Sequence, residues 1–132
     1  MLTVVDVRAA VAWYGKVFGF VEHVKIGEGH RAQLGLLGSP AAEMVVAEVR
    51  PGRRVPTVDR SHQLMLKVED AAAVLSSALA HGATLVDPLH DWEYGERQAT
   101  LNDPFGHQWV LNQTLADMAP EEWGGESVTA RP

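Results

Sequence analysis

Six histidines, 17 aspartates and glutamates and no cysteine set the chemistry open to this chain. Without thiols there are no disulfides, no thiolate nucleophile and no sulfur-ligated zinc or iron–sulfur centre, so a metal would need imidazole or oxygen donors. His62 stands beside Gln63 at the start of a strand-like run. Adjacent strand residues face opposite sides, so if Gln63 points into a site, His62 is a surface or strand-end residue. His30, His81 and His90 fall at loop or helix-end positions, and none has a partner pattern suited to acid–base work. Glu96 and Arg97 read as a salt-linked turn that positions the strand after it. Asp103 is suited to capping the Asp-Pro-Phe-Gly turn through its side chain, and His107 to closing it. Trp92 sits in what reads as a loop from His90 to Tyr94. A tryptophan there either tucks against its own domain or closes over a cavity and stacks on a flat ligand.

The elements that must hold these residues repeat. A shift of 63 residues lays Val5, Ala9, Ala10, Val11 and Gly19 onto Val68, Ala72, Ala73, Val74 and Gly82. In the first copy the run Leu2 to Val5 ends at Asp6. Val7, Val11, Tyr14 and Phe18 then recur at helical spacing, and Gly19 follows as the stop. In the second, Gln63 to Val68 is the strand and Glu69 and Asp70 the acidic start. Ala71, Val74, Leu75, Ala78 and Leu79 form the apolar stripe and Gly82 the stop. Further strands are expected at Phe20–Ile26, Arg31–Leu37 and Glu43–Val49, with Gly38, Ser39 and Pro40 as a hairpin turn. Their counterparts are Ala83–Val86, Arg97–Leu101 and His107–Asn112. Trp109 is in phase with Leu111 and belongs to the core under the second helix, whereas Trp13 flanks its stripe and suits core or interface equally.

This order, βαβββ twice, defines an α+β fold within one domain over residues 1–115. Module one covers 1–50, a Pro- and Arg-rich linker 51–60, module two 61–115, and a tail 116–132 lies on the surface or on a partner. At 132 residues the chain suits one hydrophobic core, and 46% apolar with 21% charged residues is a globular balance. A net charge of −6 with no basic cluster argues against nucleic acid as a partner. No apolar stretch approaches membrane-spanning length and the first residues lack a secretory pattern, so the expected location is cytoplasmic, with no membrane partner.

The segments AAVAWYGKVFGF, VEDAAAVLSSALAHGATLV and YGERQATLNDPFGHQWVL, set in the βαβββ doublet, resemble the vicinal oxygen chelate superfamily, in its glyoxalase and bleomycin-resistance branch. The resemblance implies two modules whose curved mixed sheet encloses a cavity, usually within a homodimer. It also implies, for catalytic members, a divalent metal held by His, Glu or Gln from the first and last strand of each module. The last-strand position falls here on Val110, its first-module counterpart on Ala47, and the first-strand position of module two on Gln63. The remaining position would precede Met1. A one-residue slip of strand 43–49 would bring Glu48 inward instead of Ala47.

Strand alternation, with the cavity the resemblance implies, turns Thr3, Val5, Gln63, Met65, Gln108, Val110 and Asn112 inward, with Trp92 able to close over them. The leading expectation is a metal- and cofactor-independent protein that binds a small, partly aromatic organic ligand, as drug-sequestering relatives do. One alternative is an enzyme (lyase, isomerase or dioxygenase) with a rearranged metal site using Glu48, Gln63 and a donor from a partner subunit. Another is an accessory protein of a biosynthetic pathway that docks through its tail and Trp123.

Overall fold

The computed structural model describes residues 1–56 and 60–128, with the backbone alone at 39–41. Each module opens with a short strand, β1 at Leu2–Val4 and β5 at Leu64–Lys67, and each strand leads into a helix capped by an aspartate. The Asp6 carboxylate accepts from the Ala9 N–H at 3.0 Å and that of Asp70 from the Ala73 N–H at 3.1 Å. These bonds satisfy donors that the first helical turn leaves free. Helix α1, Val7–Trp13, continues as a π-helical turn over Tyr14–Phe18 and stops at Gly19, whose φ of 81° is left-handed. Helix α2, Ala71–Ala80, buries Ala71, Leu75 and Ala78.

Strands β2 (Phe20–Ile26), β3 (Arg31–Leu36) and β4 (Ser39–Glu48) complete module one, and β6 (Thr84–Trp92), β7 (Glu96–Asn102) and β8 (Gln108–Thr114) module two. They form two four-stranded mixed sheets, ordered β1-β4-β3-β2 and β5-β8-β7-β6. In each the first and last strands of the module run parallel, because a helix carries the chain back over the sheet, while the hairpins are antiparallel. Val4, Ala32, Leu34 and Val46 on one sheet and Leu66, Ala99, Leu101 and Leu111 on the other join the helices in one core.

The modules are tied by polar bonds as well as packing. The Trp13 indole donates to His81 O at 2.8 Å, and the His107 Nε2 lies 2.8 Å from Thr3 O. Trp109 is buried as expected, but the rings around it are Tyr14, Phe18 and Phe20 of module one. Trp13 contacts Tyr14, Phe18 and Phe105 edge-on.

Four local expectations change. Strand β1 ends at Val4, so Val5 lies in a bend, 76% exposed, where strand alternation no longer applies. The β3–β4 turn is Leu37–Gly38, with Ser39 and Pro40 already in β4. Strand β6 runs to Trp92 rather than Val86, passing through register shifts between Leu85 and Asp87 and between Asp87 and His90. Trp92 is therefore a strand residue paired with Glu96 rather than a loop residue. In the linker Arg50 and Arg53 exchange backbone hydrogen bonds, and residues 57–59 lie outside the described residues.

Candidate functional site

Paired strand residues share a face, which makes the register a map of the surface turned away from the helices. On the second sheet Met65, Val110 and Thr100 form one row across β5, β8 and β7. Lys67, Asn112, Gln98 and His90 form the next, and Thr114, Glu96 and Trp92 the one beyond. The structure thus gathers Gln63, Met65, Gln108, Val110 and Asn112 on one open face, with Trp92 at its edge. Thr3 instead pairs with Ala47 on the first sheet, buried, and Val5 is displaced as described.

Two chains of amides run over this face. Gln63 Nε2 donates to Gln108 Oε1 at 2.7 Å, and Gln108 Nε2 to Asn102 Oδ1 at 3.0 Å. Gln98 Nε2 donates to Asn112 Oδ1 at 3.1 Å. Met65, 60% exposed, and the nearly buried Val110 supply apolar surface between the two chains. At the rim Trp92 stacks on Tyr94, with centroids 5.9 Å apart and planes 6° apart, and its other neighbour is the His90 ring at 4.3 Å.

Gln98, Thr100 and Asn102 carry no expectation from the sequence reading, and Glu96, expected in a salt-linked turn, stands on this face between Thr114 and Trp92. Alternation along Arg97–Leu101 held the signal for two of them, since Ala99 and Leu101 are core residues and Gln98 and Thr100 must point the other way. Arg97 binds Asp91 through two hydrogen bonds of 2.6 and 3.0 Å, and the guanidinium holds the Asp91 carboxyl below its ordinary range. The salt link expected at this turn is therefore made by Arg97 with Asp91.

The donor set does not fit a divalent metal. Val110, which has no donor, occupies the last-strand position, and Gln63, whose Nε2 donates to Gln108 Oε1, offers only a neutral amide oxygen. The repeat drifts, since Leu2 pairs with Val46 and Leu66 with Leu111, so the counterpart of Val110 is Val45 or Ala47; both lack a donor. Glu48, opposite Val4, is off that face and lines a separate pocket with Asp6, Arg8 and His30. Among the described residues no three of His, Asp and Glu converge on a metal position. Amides neither gain nor lose protons near neutral pH, so the part of the face around Met65 and Val110 offers hydrogen bonds and apolar contact.

Residues 1–111 match the model of the Glyoxalase/Bleomycin resistance protein/Dioxygenase superfamily, and the chain belongs to that superfamily. An uncharacterized protein of Mycobacterium bovis is 29% identical over 92% of this chain and 85% of its own length. Among solved structures, TioX from Micromonospora sp. ML1 is 28% identical with a TM-score of 0.66, covering 86% of this chain and 94% of TioX. A glyoxalase/bleomycin resistance protein/dioxygenase family enzyme from Burkholderia phytofirmans PsJN shares the fold at a TM-score of 0.69 and 22% identity, over 86% of this chain and 94% of that one. No helix among the described residues is long and apolar enough to cross a membrane.

Proposed function

We propose that this is a metal-independent binding protein which sequesters a partly aromatic organic molecule, such as an antibiotic, on the open face of β5-β8-β7-β6, acting as a cytoplasmic homodimer. One observation carries the reading. Where the resemblance implies His, Glu or Gln donors in catalytic members, this chain sets Val110 beside Met65 and surrounds them with paired amides. The amides and apolar side chains around Met65 and Val110 recognise neutral polar groups on a flat apolar body, while the titratable groups of the face, Lys67, His90 and Glu96, stand in the rows beyond. The stacked pair Trp92 and Tyr94 at the rim suits a planar ring. That the superfamily includes bleomycin resistance proteins is consistent with protection by binding alone.

Titration of tryptophan fluorescence with neutral planar compounds, naphthoquinones and quinolines among them, tests this. Saturable quenching is expected, with Trp92→Phe weakening the affinity about three- to tenfold through loss of stacking area. A flat response over the whole panel, in both proteins, ends the proposal.

A further inference from the structure

Beyond β8 the chain turns back over the end of the second sheet. The Leu115 and Ala116 N–H groups both donate to Gly95 O, at 2.8 and 3.2 Å. Pro120–Trp123 forms a 3-10 turn in which the Glu122 carboxylate accepts from the Ala119 N–H at 2.7 Å. The Glu121 carboxylate accepts from the Ser127 hydroxyl at 2.7 Å and its N–H at 3.1 Å. Those two carboxylates serve the fold of the tail.

Between tail and sheet lies a cavity of about 560 Å³. Lys67, Glu96 and Thr114 line it from the sheet, and Met118 and Trp123 from the tail. Tyr94 and Trp123 supply two aromatic walls, their centroids 5.4 Å apart. Glu96 Oε2 is shielded from solvent and has no hydrogen-bond partner among the described residues. A buried acceptor without a donor is costly, and more so when it belongs to a carboxylate. Lys67 lines the same cavity but forms no ion pair with it. Asp117 and Glu126 add to the negative side, so among the described residues three carboxylates and one ammonium line the cavity.

We infer that this cavity binds an organic ammonium group, which pairs with the Glu96 carboxylate while its hydrocarbon body lies against Tyr94 and Trp123. Aromatic faces attract cations as well as apolar groups, so the walls and the carboxylate select the same ligand chemistry. The tail lies beyond residues 1–111, which the superfamily model matches. The inference rests on the open-face reading only for where the rest of a larger ligand would lie, since Glu96 and Lys67 belong to that face.

The test is a titration of the nitrogen-15-labelled full chain with benzylammonium, read at the Trp123 indole N–H, which Trp123→Phe identifies. Benzyl alcohol is the neutral counterpart. A saturable shift is expected with benzylammonium, with benzyl alcohol at least about tenfold weaker and Glu96→Gln lowering benzylammonium affinity about tenfold. Lys67→Gln, which removes the competing cation and leaves the carboxylate, should tighten binding severalfold. Equal affinity for the two probes, indifference to both substitutions, or no saturation overturns the inference. Saturation by benzylammonium while neutral planar compounds fail to bind would leave this site standing and remove the sequestration reading. The opposite pattern would do the reverse.

Discussion

Asp103 shows how much one side chain can organise. Its Oδ1 accepts from the Phe105 N–H at 2.8 Å and the His107 N–H at 3.0 Å, which closes the turn as its sequence context indicates. Its Oδ2 accepts from the Trp109 indole at 2.9 Å and from the Tyr14 hydroxyl, a residue of the other module. Burial first, and then the Asp103 charge, raise the Tyr14 phenol far above its ordinary value. An unfolded tyrosine ionises near about pH 10, whereas the folded protein keeps this proton to higher pH. The contribution of Tyr14 is therefore fully present below about pH 10 and declines above it, because only the unfolded state gains by releasing the proton. Urea denaturation from pH 8 to 11 should show wild type losing stability more steeply above pH 10 than Tyr14→Phe. At pH 8 the variant should be less stable by about 1–3 kcal/mol, since the substitution leaves a buried carboxylate oxygen one donor short. Parallel curves would contradict this account.

Elements differed in how far their sequences specified them. Both helices were legible because an aspartate cap, a 3.6-residue stripe and a closing glycine agree with one another. Strand β2 was placed residue for residue and β7 within one residue at each end, since turn residues, Gly19 and Gly27 for β2 and Gly95 and Asp103–Pro104 for β7, bound both runs. Strand β6 was hidden. Its two register irregularities break the period-2 pattern, Pro88 counts against a strand, and every one of its residues is exposed, so no buried face imposes alternation. Trp92 consequently looked like a loop residue; its ring stacks on Tyr94 of the same module. The amides Gln63, Gln108 and Asn112 were legible from alternation together with the cavity the resemblance implies, while the cavity wall supplied by the tail was not, because its contacts run through backbone atoms of Gly95. At φ 83°, Gly95 would place an added Cβ 2.4 Å from Ala116 O. Gly95→Ala should therefore cost about 1–2 kcal/mol and push the tail off the sheet. Limited proteolysis should cut between Ala116 and Val128 faster than in wild type, with the far-ultraviolet circular dichroism of the sheets retained. Unchanged cleavage would mean that the tail is held elsewhere.

At the scale of the whole molecule, the two sheets turn their helix-covered faces into a common core and leave β6 as an unpaired edge. Leu85, Val86, Leu89 and Trp92 along it are all more than a third exposed, and Met65 on the same sheet is exposed as well. An edge strand with this apolar content is a liability in an isolated chain, and Asp87, Pro88 and Asp91 blunt it only in part. A second copy of the chain would cover the strand and wall in the amide-lined face, making dimerisation and ligand binding parts of one arrangement. Sedimentation equilibrium should accordingly give twice the chain mass of 14.4 kDa at micromolar concentration. Leu89→Glu, which places a charge on the exposed strand without touching the core, should shift the protein to monomer. It should also weaken binding of neutral planar compounds by about tenfold or more, because an interfacial charge left without a partner costs at least about 1.4 kcal/mol. A wild-type monomer that binds those compounds with full affinity would confine the site to a single chain and leave β6 a solvent-facing edge.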